Sequence, residues 1–287
     1  MINKIVMSMM MFHSISQLNA QKISKLSDIN TYETLFVDIV GVMHDGLNPY
    51  PDAVCAINTA KNSGKNVIFV SNNPRPSFLS LAHLNKMGIE GEIKVVTSGD
   101  YTRWYLQEHL VGKNLYHLGD GCNQDILKDI TNVFVVKDIE KADIILLTQF
   151  IEERDSPDQF DDILQKIAQS NKTVFCANPD VYAVYEKTLR KCAGFFAQKI
   201  ELFGGKVTYL GKPNPDFFEY VCSIHQIDSH DKDKTLMIGD TIDTDIKGAH
   251  HFGIDSLLVL SGISSNFDKD NQRENLYLPS FCMDRLI

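Results

Sequence analysis

The sequence has no closely spaced pair of cysteines, no internal repeat and no low-complexity segment. Its cysteines are scattered along 287 residues without a CxxC pair, so we expect neither a zinc site nor a framework of disulfides. Reduced and mostly buried thiols are expected instead. The cysteines are Cys55, Cys122, Cys176, Cys192, Cys222 and Cys282.

Long apolar runs are missing as well. Beyond the first 20 residues, no segment approaches the roughly 20 apolar residues that a membrane span requires. Basic residues are outnumbered, because 28 Lys and Arg face 37 Asp and Glu, which gives a formal charge of −9. Nucleic acids and anionic membranes need basic patches, so we expect neither as a partner. An anionic substrate would have to be attracted by local cations.

The N-terminal stretch bears some similarity to a secretion signal, with Lys4 followed by an apolar patch over 5–12. Polar side chains interrupt the apolar part, and the lack of a disulfide pattern favours the cytoplasm. We predict that residues 1–30 are a lead-in, poorly ordered or helical, because 21–30 is polar and has little core signature.

Short apolar runs alternate with helical stretches through short links, which predicts a doubly wound parallel α/β sheet. The predicted strands are 35–37, 67–70, 93–96, 115–118, 133–136, 144–147, 173–176, 207–210, 235–238 and 256–260. The predicted helices are 51–64, 78–88, 125–130, 158–169 and 246–253, with two more around 104–106 and 217–224.

The alternation restarts near residue 114, and Gly204-Gly205 marks its end. We therefore predict two units. A core domain spans 31–113 and 205–287, and a smaller α/β unit spans 114–204 as an insertion in it.

Polar residues stand at the ends of four predicted segments. They are Asp38, Ser71-Asn72-Asn73, Lys212, and Asp240 with Asp243 and Asp245. The carboxyl ends of parallel strands share one crevice, where open α/β sheets bind ligands. Taken singly, each residue has a commoner explanation as a turn, a helix cap or a surface lysine. Their combination and order predict a functional site.

Four positions resemble, in order, the four motifs of the haloacid dehalogenase (HAD) superfamily. Ser71 stands at the second motif, and three longer segments match the first, third and fourth. They are Asp38-Ile39-Val40-Gly41-Val42-Met43-His44-Asp45-Gly46, Gly211-Lys212-Pro213 and Gly239-Asp240-Thr241-Ile242-Asp243-Thr244-Asp245-Ile246. The resemblance covers nearly the whole chain from about residue 31. The insertion between the second and third motifs is similar to the class IIA branch, which implies a HAD-like core with an inserted cap. That branch contains phosphatases of small metabolites, so the resemblance implies a hydrolase of a small phosphorylated metabolite.

The resemblance implies a role for each motif residue. Asp38 would be the nucleophile and would form an aspartyl-phosphate. Ser71 would donate a hydrogen bond to the phosphoryl group, and Lys212 would offset the negative charge. A hard cation, Mg²⁺, is expected because two anions do not approach each other unaided. The implied metal ligands are Asp38, Asp240 and the backbone carbonyl of Val40, with Asp245 holding a metal-bound water.

Further residues are expected near the substrate. Asn72 and Asn73 follow Ser71, and Asn178-Pro179-Asp180 in the insertion resembles a cap segment near the substrate. Turn formation explains both stretches equally well. The predicted partner is a small phosphorylated substrate, and a homodimer through the cap is a further expectation.

Val40 departs from the family pattern, because most phosphatases of the superfamily carry an Asp there as general acid and base. A positioned acid–base group typically gives about 10²–10⁴-fold, so its loss should matter mainly for poor leaving groups. An acyl phosphate, enol phosphate or phenolic ester would not need it, and His44 or Asp45 is an alternative acid. Phosphonate-cleaving members of the superfamily also have a small residue at this position. They use a lysine of a differently placed cap to form a Schiff base, so this alternative fits the sequence less well. The remaining alternative is a protein that binds a phosphorylated ligand or partner without turnover.

Overall fold

The computed structural model describes residues 20–119, 121–151, 156–185, 188–266 and 277–287. Its larger sheet has seven strands, all parallel. In spatial order they are β1 (Gln21–Lys22), β14 (Phe281–Met283), β13 (Asp255–Val259), β12 (Thr235–Gly239), β2 (Thr34–Val37), β3 (Asn66–Ser71) and β4 (Lys94–Thr97). The strand β2, which precedes Asp38, therefore lies in the middle of the sheet.

Helices cover both faces of this sheet. One face carries α1 (Pro51–Asn62) and α2 (Ser77–Met87), and the other carries α3 (Ser98–His109), α6 (Pro215–His225) and α7 (Lys247–Phe252). Successive strand residues point to opposite faces, so Leu35 and Val37 join one core and Phe36 joins the other. Strands buried on both faces appear in the sequence as continuous apolar runs. The predicted doubly wound parallel architecture is confirmed.

A second, smaller parallel sheet has five strands. In spatial order they are β11 (Val207–Tyr209), β8 (Thr173–Cys176), β7 (Ile144–Leu147), β5 (Asn114–Leu118) and β6 (Phe134–Val136). Its own core holds the helices α4 (Asp161–Gln169) and α5 (Ala193–Leu202). An antiparallel hairpin of β9 (Tyr182–Tyr185) and β10 (Thr188–Lys191) completes the insertion. The predicted inserted α/β cap is confirmed as an architecture.

The strand β11 lies in the second sheet, whereas it was predicted in the first. We assigned 205–287 to the core domain, but β11 pairs with β8 of the second sheet, so the placement of 207–210 was wrong. The chain returns to the first sheet only after Tyr209. Pairing partners are distant in sequence, and the composition of a three-residue strand does not indicate them. The division into a core and a cap domain is kept as a proposal with this change.

The N-terminal stretch also differs from expectation. Residues 1–19 of the predicted lead-in lie outside the described residues. Residues 20–30 contain β1 and a 3₁₀ helix, Leu26–Ile29, and the side chains of Ile23, Leu26 and Ile29 are buried in the core. The expectation of little core signature was therefore wrong for these residues. Leu26 and Ile29 are three residues apart, which matches the three residues per turn of a 3₁₀ helix and differs from α-helical periodicity.

Smaller differences concern single elements. The predicted helix 125–130 is a 3₁₀ helix, Gly121–Leu127, and the predicted helix 158–169 begins with a 3₁₀ turn, Pro157–Phe160, before α4. Of the described cysteines, Cys55 is exposed, and four are buried and free as expected. Within the described part of the chain, no helix combines the length and the apolar character needed to cross a membrane.

Candidate active site

Asp38 directly follows the central strand β2. Its backbone N–H donates to the carbonyl of Ile238 at 2.8 Å, which continues the pairing of β2 with β12 by one residue. The side chain is 12% exposed, so the carboxylate is largely removed from water. The parallel sheet thus holds Asp38 at its carboxyl edge, where neighbouring strands deliver their own terminal residues.

Asp240 follows the adjacent strand β12 and is held by close backbone packing. Its Oδ2 accepts a hydrogen bond from the N–H of Ile263 at 2.6 Å, and its Oδ1 accepts one from the hydroxyl of Thr241 at 3.2 Å. A Cβ added at Gly41 or Gly262 would lie 2.2 or 1.8 Å from Asp240 Oδ2. Both glycines are therefore needed to let the two loops approach the carboxylate.

Asp245 lies in a π-helical turn, Ile242–Ile246, that begins directly after this strand end. Its Oδ2 accepts hydrogen bonds from the N–H groups of Asp240 at 3.1 Å and Thr241 at 3.0 Å. A Cβ at Gly239 would lie 2.2 Å from Asp245 Cγ, so the strand end must be a glycine for the turn to fold back against it. Asp245 thereby orients the backbone that carries Asp240.

Lys212 is the cation of this site and is only 1% exposed. Its Nζ lies 2.6 Å from Asp38 Oδ1 and 2.7 Å from Asp245 Oδ1, and it donates to the carbonyl of Val70 at 2.9 Å. The ammonium thus donates hydrogen bonds to Asp38 and to the carbonyl of Val70, and it forms an ion pair with Asp245. The lysine is therefore locked between the two carboxylates.

The charges of the site do not balance, because three buried carboxylates face one ammonium. Burial is the largest effect on Asp38 and raises its pKa to about 7, although Lys212 lowers it. Burial, Asp38 and Asp245 also raise the pKa of Asp240 well above its usual value. Burial lowers the pKa of Lys212, but Asp245 and Asp38 outweigh this and raise it. An additional cation would relieve the excess of negative charge.

The carboxylates of Asp38, Asp240 and Asp245 offer oxygens within 4.8 Å of one another. Mg²⁺ is a hard cation that prefers oxygen ligands and is commonly held by one or two carboxylates with waters. The donor set therefore fits Mg²⁺. Val40, whose carbonyl the resemblance implies as a ligand, is half-buried in the loop directly after Asp38.

The second motif lies at the end of β3. Ser71 is 4% exposed, and its hydroxyl accepts a hydrogen bond from the N–H of Asn73 at 3.2 Å. Asn73 is occupied with its own loop, since its Oδ1 accepts from the N–H of Arg75 at 3.0 Å. Asn72 is buried against the main chain of Lys212. The structure thus brings Ser71 and Asn72 to the site, while Asn73 makes turn contacts.

The predicted cap residues follow β8 in the second sheet. Asp180 reaches the core domain, where its Oδ1 accepts a hydrogen bond from Asn72 Nδ2 at 2.8 Å. Burial is the largest effect on Asp180 and raises its pKa to about 6. Asn178 instead contacts its own loop, because its Oδ1 accepts from the N–H of Asp180 at 3.1 Å.

The two alternative acids after Val40 are engaged elsewhere. The Nδ1 of His44 accepts a hydrogen bond from the N–H of Gly46 at 2.9 Å, and its ring packs 4.8 Å from that of His83. Burial and His83 lower the pKa of His44 to about 4, so the ring is neutral at pH 7. Asp45 Oδ1 accepts from the N–H groups of Leu47 at 3.0 Å and Asn48 at 2.7 Å. Both side chains stabilise the loop.

Sequence reasoning missed the contacts made by backbone groups. The N–H of Ile263 holds Asp240, the carbonyl of Val70 holds Lys212, and the hydroxyl of Ser264 donates to the carbonyl of Asp240. A backbone donor has no residue signature. Gly262, just after the last predicted strand, was the one sequence signal that its loop approaches Asp240 closely.

Comparison with known proteins defines the class of this protein. A model of haloacid dehalogenase-like hydrolases matches residues 35–131, and a second, HAD-hydrolase-like model matches residues 209–285. Together the two matches include Asp38, Ser71, Lys212, Asp240 and Asp245. The chain belongs to the haloacid dehalogenase superfamily of hydrolases.

Individual relatives span nearly the full length. The chain is 25% identical to an acid sugar phosphatase of Staphylococcus aureus over 244 residues, which is 84% of this chain and 91% of that protein. A haloacid dehalogenase-like hydrolase from Brucella suis is 28% identical with a TM-score of 0.78, covering 92% of this chain and 100% of its own. A p-nitrophenyl phosphatase from Archaeoglobus fulgidus shares the fold with a TM-score of 0.70 at 22% identity, covering 88% of this chain and 96% of its own.

Proposed function

We propose that this protein hydrolyses the phosphoric monoester of a small metabolite through an aspartyl-phosphate on Asp38, with Mg²⁺ bound by the carboxylate cluster. The observation that carries this proposal is the position of Lys212, buried between Asp38 and Asp245 beside Asp240. A lysine used only for stability would not need three carboxylates around it. The same arrangement suits a phosphoryl group, whose oxygens require nearby cations.

Mg²⁺ would be held by the carboxylates of Asp38 and Asp240 and the carbonyl of Val40, with Asp245 orienting a bound water. When bound, the cation supplies positive charge that offsets the charge of the phosphoryl oxygens. Together with Lys212 it would also favour the ionised form of Asp38, whose pKa burial raises to about 7. The nucleophile is therefore active only in the assembled site.

The reaction proceeds in two displacements. In the first, an Asp38 carboxylate oxygen attacks phosphorus and the bond from phosphorus to the ester oxygen breaks, releasing the leaving group as an anion that then takes a proton from water. Lys212 and the hydroxyl of Ser71 bind the phosphoryl oxygens during transfer. In the second, water attacks the phosphorus of the acyl phosphate, which releases inorganic phosphate and restores Asp38.

Val40 shapes which esters are turned over. The leaving oxygen has no carboxylic acid at the usual position to protonate it, and His44 and Asp45 are held in loop contacts. We therefore propose substrates with a good leaving group, such as an acyl phosphate, an enol phosphate or a phenolic ester. The relatives named acid sugar phosphatase and p-nitrophenyl phosphatase support a phosphoester substrate in general.

Several further parts of the proposal rest on the sequence. The formal charge of −9 supports a free small molecule as substrate, without nucleic acid or membrane as a partner, and the unpaired cysteines support a cytoplasmic location. Asn73 and Asn178 stay predictions as substrate contacts. A homodimer through the second sheet also stays a prediction, supported by the edge strand β6, where Phe134 and Val135 are each 59% exposed.

Turnover of p-nitrophenyl phosphate by the purified full chain tests the function. We expect hydrolysis that requires Mg²⁺, is lost with EDTA and is absent in Asp38→Asn, because that variant lacks the nucleophile. Asp284→Asn serves as the matched control, since the side chain of Asp284 is 72% exposed and pairs with Lys22 at the surface. Binding of phosphate without turnover of p-nitrophenyl phosphate or acetyl phosphate would instead support the alternative function, a protein that binds a phosphorylated ligand or partner without hydrolysing it.

A further inference from the structure

The side-chain amide of Asn72 hydrogen-bonds both to the main chain of Lys212 and to Asp180. Its Oδ1 accepts the N–H of Lys212 at 2.8 Å, and its Nδ2 donates to the carbonyl of Lys212 at 3.0 Å and to Asp180 Oδ1 at 2.8 Å. Asn72 follows β3 of the first sheet, and Asp180 follows β8 of the second. We call Asn72, Asp180 and the main chain of Lys212 the cap joint.

The cap joint is closely packed. A Cβ at Gly211 would lie 2.6 Å from Asn72 Oδ1 and 2.9 Å from Pro179 Cδ, and a Cβ at Gly194 would lie 2.6 Å from the carbonyl oxygen of Asp180. Asn72 is 2% exposed. Little space is left for the amide or the carboxylate to adopt another arrangement.

The chemistry of Asp180 determines which way the amide of Asn72 faces. An asparagine amide has nearly the same shape in its two orientations, but an ionised carboxylate only accepts hydrogen bonds. Asp180 therefore accepts the Nδ2 side of Asn72. With Nδ2 on that side, Oδ1 points at the N–H of Lys212, and both main-chain groups of the lysine are bonded.

Asp180 therefore acts on the lysine through the main chain that Asn72 holds. The ammonium of the same residue, Lys212, lies 2.6 Å from Asp38 Oδ1, 2.7 Å from Asp245 Oδ1 and 2.9 Å from the carbonyl of Val70. These short distances leave little tolerance for a shift of the Lys212 main chain.

We infer that Asp180 is a positioning residue, which acts through Asn72 to hold the Lys212 ammonium against Asp38. The inference rests on the proposed function and deepens it, because the second sheet then contributes to the geometry of the catalytic lysine as well as to covering the substrate. In this role Asp180 acts through Asn72 and needs no contact of its own with the phosphoryl group. Its influence is the same for every phosphoester, whatever the organic part of the substrate is.

Asp180→Asn is the most specific substitution. The amide has nearly the size and shape of the carboxylate, but it can donate as well as accept, so the orientation of the Asn72 amide is no longer determined. We expect kcat to fall about 10- to 100-fold, the scale of a misplaced catalytic group, for p-nitrophenyl phosphate and for acetyl phosphate alike. KM should change less than about threefold, since binding of the phosphoryl group is largely retained. Asp158→Asn is the matched control in the same insertion, because the Asp158 side chain is 79% exposed.

A double-mutant cycle separates this role from direct substrate binding. If Asp180 acts through Asn72, the Asp180→Asn/Asn72→Ala variant is no slower than Asn72→Ala alone. Asp180→Glu, which keeps the acceptor, should recover part of the rate that Asp180→Asn loses. Additive losses in the cycle, a rise of KM without a fall of kcat, or a loss with only one of the two substrates would overturn the inference.

Hydrogen exchange tests the cap joint independently of activity. The N–H of Lys212 is bonded to Asn72, so the peptide spanning 211–214 should exchange faster in Asp180→Asn than in the parent and in Asp158→Asn. Pro213 has no amide hydrogen, which leaves few signals to assign in this peptide. If the parent shows no turnover, faster exchange still supports the cap joint while the proposed function fails. Unchanged exchange refutes the inference in either case.

Discussion

Val40 stands two residues after Asp38, and its side chain cannot carry a proton. It is half-buried in the loop that leads away from the nucleophile. A phenol leaves without help, whereas an alkoxide is a poor leaving group and needs a proton in the transition state. The residue at this one position therefore decides which class of ester the site can cleave.

Val40→Asp should raise the rate on alkyl phosphates far more than on phenyl phosphates. We expect a gain of about 10-fold or more for glycerol phosphate and less than about threefold for p-nitrophenyl phosphate, because only the alkoxide needs the new acid. Steady-state phosphate release with both substrates measures this. Val40→Asn is the control of similar size, and an equal gain on both esters would contradict this account of Val40.

Asp38 makes the stability of the metal-free site depend on pH. Its pKa is about 7 in the folded protein, against an ordinary value of 3.8. A carboxyl group with a raised pKa favours the folded state when protonated, so its contribution is full below about pH 4 and is lost as pH rises through about 7. Asn at this position has no charge to lose.

In EDTA, the free energy of unfolding of Asp38→Asn should therefore increase relative to that of the parent as the pH rises from 5 to 8. With Mg²⁺ at pH 8, the parent should recover stability more than the variant does, because the cation binds the ionised carboxylate. Urea denaturation at both pH values, with and without Mg²⁺, measures these differences. Parallel pH dependence of the two proteins in EDTA would show that Asp38 is not the group responsible.

The short N-terminal element is part of the core. The 3₁₀ helix Leu26–Ile29 follows β1, and its apolar side chains pack in the same cluster as the central strand β2. Leu26 is 4% exposed. An element with only four residues can stabilise the fold because its two apolar side chains are buried almost completely.

Leu26→Ala should lower the free energy of unfolding by about 2–5 kcal/mol, the range for truncation of a buried leucine. Leu202→Ala is the matched control, because Leu202 is 84% exposed, and it should change stability by less than about 0.5 kcal/mol. Urea denaturation monitored by circular dichroism compares the two. If both variants match the parent, this element does not contribute to the core.

The two sheets share one hydrophobic cluster at the scale of the whole molecule. Phe36 and Ile68 of the first sheet belong to the same buried cluster as Leu115, Ile144 and Phe175 of the second. The two sheets thus contribute side chains to one continuous buried cluster. The second sheet is thus a folding partner of the core domain as well as a cover for the site.

Thermal unfolding of the full chain should accordingly be one transition. We expect the calorimetric and van't Hoff enthalpies to agree, and the fluorescence of Trp104, which is the single tryptophan, to change together with the far-ultraviolet circular dichroism. The physical reason is the shared core. Two separated transitions, with Trp104 following only one, would show that the second sheet unfolds independently.

Prediction from the sequence succeeded where a signal is local. The central strands were found because burial on both faces makes them continuous apolar runs. The strands β1, β9, β10 and β14 were missed because they are two to four residues long and carry no such run. The strand β11 was found but placed in the wrong sheet, because its partner β8 is distant along the chain.

The residue types at the strand ends and their order can be predicted from the chain alone, since strand propensity and apolar runs are properties of neighbouring residues. The position of Lys212 between Asp38 and Asp245, and the hydrogen bond from Asn72 to Asp180, depend on the three-dimensional packing. Asn72 and Asp180 are 108 positions apart, and Asp38 and Lys212 are 174 apart. Contacts of this kind depend on how whole sheets pack, and no stretch of neighbouring residues encodes them.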